Sequence, residues 1–351
     1  MANNKKEGNA PITVAVAGGT RGMGLAIVHE LKRFPDLYTV KILSRNADAS
    51  QASELGVKII TVDYSDIEGI TKVLEAKDVH TIMFKDDIED VYTLISNVFI
   101  SDGVTPSQHN LIYAAEASTV TKRFVPSTFD VPYDEEMASV LYTGGYKLEI
   151  EKIVTMTKSL EWTRFHNGFF LDYYFSSKMK TFLTPGKYIA DLDSKKAIIP
   201  GDGNVPVSFT HTLDVARFVV ASLSLPHWPS RLYMSGDYLT WNEFIDLAER
   251  ASGTKFEREY NSLDDLKSGD ITRFKQLDRW EVLYEYWPKR MADRLPSAIQ
   301  YFMGAGLLDT NRYGPRLNDL FPDIKPLTAR DALQSYYKGT IPSGFASISE
   351  S

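Results

Sequence analysis

Over the first part of the chain, apolar runs of strand length alternate with amphipathic runs of helix length. Such alternation predicts a parallel sheet with helices on its faces. Ile12–Ala17 reads as the first strand, followed by a helix from Gly22 to Arg33 that stops before Pro35. Tyr38–Leu43 and Val57–Val62 read as the second and third strands, with a helix over Ile67–Ala76 after them. Two runs compete for the fourth strand, Val79–Phe84 and Val91–Val98. The second is favoured because Ser101–Pro106 then leads into a helix at Gln108–Ala117, which makes 77–90 an insertion. Arg123–Val125 is the fifth strand, a helix runs from Gly144 to Lys158, and Trp162–His166 is the sixth strand. Beyond 170 the alternation stops. Residues 171–200 are aromatic and loop-like, Val207–Phe209 and Leu213–Leu225 predict a strand and helix returning to the sheet, and Trp280–Phe302 reads as helical. Thr240 and Glu243 form a capping box before a helix at Phe244–Ala251, and Thr328 caps a last helix, Ala329–Tyr337.

The turn after the first strand carries the strongest chemistry. It reads Gly18-Gly19-Thr20-Arg21-Gly22-Met23-Gly24 and opens directly into the first helix. A strand, a glycine turn and a helix start together aim backbone N–H groups and the positive helix end at a pyrophosphate. Gly18 suits the tight turn, Gly22 lets a phosphate approach the backbone, and Gly24 lets the helix pack closely. The fold class expected is therefore α/β: a Rossmann doubly wound parallel sheet with a smaller C-terminal α/β substrate-binding domain. Residues 1–10 form a disordered tail, 11–170 the dinucleotide-binding domain with 201–225 returning to it, 171–200 and 226–341 the second domain, and 342–351 a loose tail.

The end of the second strand selects the dinucleotide. An NAD site carries an acid there for the ribose 2′-OH, whereas this chain has Ser44-Arg45-Asn46. Arg45 suits a 2′-phosphate through its planar guanidinium, and Arg21 adds a second positive group, so NADP(H) is the expected cofactor. The alternative for Arg45 is an ordinary surface charge. Asp63, after the third strand, suits the adenine amino group or, alternatively, a helix cap. Tyr64 follows it. Ser96 and Asn97 end the fourth strand, where a chain lines the cofactor groove.

Composition narrows the rest. The chain of 351 residues is 43% hydrophobic and 24% charged, with a net charge of −7 and no Lys/Arg-rich run. No nucleic-acid partner is expected from that balance. The absence of cysteine removes disulfides, thiolate metal sites and a cysteine nucleophile. No His/Asp/Glu cluster has metal-ligand spacing, so no metal is expected. No apolar stretch approaches the ~20 residues needed to span a bilayer, and the N-terminal residues lack a signal core. No membrane partner and a cytoplasmic location follow as expectations. Oligomeric state is left open, a homodimer included.

Several runs together resemble the NmrA-like and isoflavone-reductase-like branch of atypical short-chain dehydrogenases. They are Ala17–Gly24, Arg45, Val62-Asp63-Tyr64, Asn110–Ala115, Lys122-Arg123-Phe124-Val125-Pro126-Ser127, Asn167-Gly168-Phe169-Phe170 and Asp214-Val215-Ala216. The resemblance covers roughly residues 12–250. It implies an NADPH-binding Rossmann domain, a smaller domain over the substrate, and a lysine on the helix after strand five, at the position of Lys147. That ammonium would hold the nicotinamide ribose and help move a proton. Three features depart from the branch. The glycine spacing is nearer to other short-chain enzymes, Thr128 stands where its reductases often carry Glu, and 77–90 is inserted.

Short-chain dehydrogenases of the common type place a tyrosine four residues before the lysine, on one helix face. Here that position is Thr143. Tyr142 and Tyr146 do not share a face with Lys147, although Tyr142 precedes Gly144-Gly145 and a loop there would let it turn inward. Tyr174 and Lys178 have the right spacing but follow strand six, so we read them as coincidental. Phe169, Phe170 and Tyr174 form either an aromatic flap over the nicotinamide or ordinary packing. Lys147 itself has an alternative reading, a surface pair with Glu151 one turn on. Ser127 and Thr128 place two hydroxyls at the end of strand five for nicotinamide or substrate. His166, beside Asn167 at the end of strand six, is either a proton donor or a structural residue, and His211 has the same ambiguity.

The function expected is an NADPH-dependent reductase of a small aromatic or apolar, secondary-metabolite-like molecule, acting on a C=O or conjugated C=C. Lys147, with Ser127 or Tyr142, would deliver the proton. A redox-neutral isomerase, cyclase or epimerase and a non-catalytic NADP-sensing protein are the alternatives.

Overall fold

A computed structural model describes residues 11–46, 49–75, 91–97, 106–141, 143–175, 179, 181–183, 186–269, 271–272, 289–342 and 345. Six strands form its main sheet: β1 (Ile12–Ala17), β2 (Tyr38–Ser44), β3 (Lys58–Thr61), β4 (Thr93–Ser96), β5 (Arg123–Val125) and β6 (Glu161–Trp162). Their order is β3-β2-β1-β4-β5-β6, and every pair is parallel. The order reverses between β1 and β4, which opens a crevice at the C-terminal strand ends, where ligands bind in open α/β sheets. Between the strands run α1 (Gly22–Leu31), α2 (Ala49–Leu55), α3 (Ile67–Leu74), α4 (Pro106–Ala117), α5 (Glu135–Val140) and α6 (Thr143–Thr155).

Side-chain alternation along the strands explains why both faces are covered. Val14 and Val16 of β1 join one buried cluster with Ile27 and Leu31 of α1. Ala15 and Ala17 face the other way, into a cluster with Ile70 of α3, Leu111 and Ala115 of α4 and Ile150 of α6. The fourth strand lies within the favoured Val91–Val98 run. The competing Val79–Phe84, the proposed insertion at 77–90 and the tail at 1–10 lie outside the described residues.

The later elements are β7 (Arg164–His166), β8 (Phe169–Phe170), a 3-10 turn at Leu171–Tyr174, β9 (Ala190–Asp191), β10 (Lys196–Pro200), β11 (Pro206–Thr210), α7 (Thr212–Ser222), β12 (Arg231–Tyr233), β13 (Asp237–Thr240) and α8 (Trp241–Ser252). After them come β14 (Glu257–Asn261), α9 (Leu263–Ser268), α10 (Lys289–Gly304), α11 (Leu317–Leu320) and α12 (Ala329–Lys338). Strands β14-β10-β9 and β13-β11-β8 make two small sheets, and β7 pairs with β12. A third cluster, built around Phe169, Phe209, Trp241, Phe244 and Tyr336, is the shared core of the two small sheets and also takes in Val131, Tyr133 and Met137 from the segment after β5.

Three expectations change. The sixth strand divides at Thr163: Trp162 continues the main sheet, while Arg164–His166 switches partner to β12. Of the elements expected to return to the main sheet, only the helix does so. α7 packs its Val215, Phe218 and Val219 into the α1 cluster, whereas β11 pairs with β8 and β13. Residues 171–200 contain β9 and β10 rather than loop alone. The capping box at Thr240 and Glu243 and the Thr328 cap form as read. Among the described residues, no helix is long and apolar enough to cross a membrane.

Candidate cofactor and active site

The glycine turn sits at the C-terminal end of β1, beside the crevice. Gly18 has φ +75°, a left-handed conformation that a side chain would strain. A Cβ on Gly24 would lie 2.4 Å from the Gly18 carbonyl oxygen, so only glycine allows α1 to start against its own turn. The helix N-cap is Arg21, whose side chain makes no capping hydrogen bond. The first-turn N–H groups of α1 therefore have no side-chain acceptor at the cap, as an anion site requires. The donor set fits a pyrophosphate: uncapped N–H groups and, beside Gly22, open space where a Cβ would point.

Residues around the turn divide into supports and exposed groups. Tyr64 is buried and its hydroxyl donates to the Leu43 carbonyl (2.9 Å), tying the segment after β3 to the end of β2. Burial pushes that phenol up to about 12, so Tyr64 acts on the turn by holding its neighbours. Asn97 donates its N–H to the Ala17 carbonyl (2.8 Å), closing the other side. Arg21 and Arg45 are exposed at the rim. Asp63 is not the cap of α3. Asp66 is, accepting from the Gly69 N–H at 2.9 Å, while Asp63 accepts from the Ser65 N–H and hydroxyl. Those bonds hold the Asp63 carboxyl below its usual range.

A buried amide links the ends of β4 and β5. The Ser96 hydroxyl donates to Gln108 Oε1 (2.7 Å), and the same oxygen accepts from the Ser127 N–H (3.3 Å). Gln108 Nε2 and the Thr128 hydroxyl are buried without a hydrogen-bond partner. Gln108 escaped the sequence reading because a lone polar residue at a helix start carries no distinguishing pattern.

Lys147, on α6, finds its partner outside its own helix. The expected surface pair with Glu151 does not form. Glu151 instead pairs with Arg164 and, at 2.7 Å, with Arg231. Lys147 Nζ pairs with Asp130 Oδ2, each side chain 17% exposed, and lies 4.8 Å from the Tyr133 ring centre. Burial pushes the ammonium down to about 7, and the Asp130 carboxylate opposes that by favouring the charged form. Asp130 follows the Pro126–Phe129 run, and nothing in its spacing marked it as a lysine partner.

The remaining candidates are more deeply placed than expected. His166 is 0% exposed and packs against Tyr233, the rings tilted with centres 5.1 Å apart. Burial, reinforced by Arg164, Arg231 and Lys147, holds its imidazole well below the ordinary range, so it is neutral and suits the structural alternative. Asn167 is likewise buried, and its carbonyl accepts from the Thr210 hydroxyl at 2.7 Å. Phe169 and Tyr174 are core residues against Trp241, which favours packing over a flap; Phe170 is half-buried against Tyr173. Tyr142 and Lys178 lie outside the described residues. His211 is the N-cap of α7, its Nδ1 accepting from the Leu213 N–H at 3.2 Å. No group of three or more His, Asp or Glu side chains suited to a metal occurs among the described residues.

Sheet order and glycine turn together define a doubly wound α/β protein whose turn at the switch point offers uncapped N–H groups, with Lys147 paired to Asp130 after β5. The chain belongs to the NmrA-like family, whose model matches residues 11–302. It is 37% identical over 245 residues to oxidoreductase BOA1 of Botryotinia fuckeliana, spanning 70% of this chain and 77% of that protein. Oxidoreductase swnN of Metarhizium robertsii is 27% identical over 347 residues, 92% of this chain and 97% of that one. The fold also matches a solved structure described as AtPrR2 with NADP+ and (+)pinoresinol, at TM-score 0.69 and 20% identity, covering 94% of this chain and 100% of that one.

Proposed function

We propose that the protein is an NADPH-dependent reductase of a small aromatic or apolar substrate of secondary-metabolite type. The observation that carries this reading is Lys147, paired with Asp130 of the segment that follows β5, in a sheet whose β1 runs into the uncapped glycine turn. The oxidoreductase names of BOA1 and swnN and the NADP+ in the AtPrR2 complex support it.

In this account the α1 N-terminus and Gly18–Gly24 bind the pyrophosphate, with Thr20 and Met23 inside the turn. Arg45 and Arg21 bind the 2′-phosphate, and Asp63 borders the adenine. Asn97 lines the groove toward the nicotinamide, with the buried Ser96 and Asn167 supporting its wall. Residues 11–170 with α7 form the cofactor half; 171–200 and 226–341 cover the substrate. When bound there, the reduced nicotinamide would supply the hydride for the substrate's carbonyl carbon or conjugated C=C. Lys147 donates a proton to the oxygen or carbon that takes up the electron pair, becomes a neutral amine, and is reprotonated from water. Ser127 and Thr128 hydroxyls orient the acceptor group.

The test is a single turnover with NADPH deuterated at the nicotinamide C4, over a panel of aromatic ketones and enones. The reductase reading requires deuterium in the product and one NADPH oxidised per product. Product formed without NADPH oxidation would favour an isomerase, cyclase or epimerase. Tight NADPH binding with no product across the panel would favour a sensor.

A further inference from the structure

Lys147 is held by a different segment of chain from the helix that carries it. Its own helix offers Glu151, and that carboxylate is engaged by Arg164 and Arg231. The carboxylate that reaches Nζ is Asp130, from the segment after β5. The backbone of Asp130 is fixed independently, because its carbonyl accepts from the Gly168 N–H at 3.0 Å. Gly168 is itself locked, with φ +68° and the Ser208 carbonyl oxygen 2.3 Å from where a Cβ would stand. Asp130 Oδ1 is buried and has no hydrogen-bond partner. Its carboxylate is thus aimed at Lys147 by the fold, with the ammonium as its charged partner.

Burial opposes a protonated lysine, and the other charges nearby are engaged with one another. From β7 and β12, Arg164 and Arg231 face Glu151, two cations against one anion. His166 is buried and neutral between these arginines and Lys147. Tyr133 presents a ring face, which favours a cation weakly, and Tyr146 neighbours Lys147 on α6. Asp130 is the anion in contact with the ammonium.

We propose that Asp130 is the positioning residue of this site, orienting the Lys147 ammonium and keeping it protonated for proton delivery. The proposal rests on the reductase reading, and its test is chosen to be independent of substrate. Lysine labelled with 13C at the ε carbon is introduced into the NADP+-saturated protein, and the Lys147 signal is identified by its loss in Lys147→Arg. Removing the charge with Asp130→Asn is expected to lower the midpoint of the Lys147 titration by about one pH unit or more. Asp130→Glu is expected to restore most of it. On any substrate that accepts deuteride, the alkaline limb of the rate profile should fall by the same amount, since the acid must be protonated to act. Should the asparagine variant not fold, Asp130→Ser carries the same expectation. An identical Lys147 titration with and without the carboxylate would overturn the proposal. A panel without deuterium transfer, with the titration still shifted, would instead refute the reductase reading and leave the pairing standing.

Discussion

At the glycine turn, the conformation is set within Gly18–Gly24 itself, where Gly24 packs against the Gly18 carbonyl, and Tyr64 and Asn97 only brace the strand ends beside it. At the lysine corner, the fixing contacts come from everywhere. Lys147 stands on α6, Asp130 after β5, His166 on β7 and Arg231 on β12, joined through Glu151 and Gly168. The first end is a backbone device whose requirement is written residue by residue. The second is a charge arrangement that exists only once distant segments have packed. The proposed binding resides in the locally encoded end, and the proposed chemistry in the assembled one.

Mutations can separate the two. The largest expected effect is on the assembled end: Glu151→Ala leaves buried Arg164 without its anion and should cost about 3 kcal/mol or more of stability, read by denaturant unfolding. A loss below about 1 kcal/mol would show that the corner is not held by this network. At the turn, Gly24→Ala forces the helix start away from Gly18 and should weaken NADPH binding by about 10–100-fold in a fluorescence titration. Arg45→Asp should reverse the preference toward NADH, weakening NADPH by about tenfold; an unaltered preference removes Arg45 from the 2′-phosphate site. The smallest effect belongs to Asp66→Ala, about 1 kcal/mol in stability with NADPH affinity unchanged, because its carboxylate caps α3. A matching loss of NADPH affinity would make that cap part of the cofactor site.

The same contrast explains what was legible in the sequence. Strand alternation in Val14–Ala17, the glycine turn, and the caps at Thr240 and Thr328 all depend on residues a few positions apart, and all appear where expected. Helix α2 was missed because Ala49–Leu55 is polar, with Leu55 its buried residue, so it carries no apolar stripe. The division at Thr163 leaves no mark because the short run Trp162–His166 reads the same whichever strand it pairs with. Phe169 and Tyr174 were compatible with either flap or core, and only the packing of Trp241 and Phe209 around them separates the two. Asp130 could not be matched to Lys147 by spacing, since the pair depends on where Gly168 pins the Asp130 backbone.

The division of labour between the two ends is tested most directly by Lys147→Ala, with NADPH affinity and single-turnover hydride transfer measured on the same preparation. The account predicts affinity within about threefold of the parent, since anion recognition at the turn is untouched. Hydride transfer should fall by about 10²–10⁴-fold, the range for loss of a general acid. Transfer at the parent rate, or a loss fully explained by weaker NADPH binding, would contradict it.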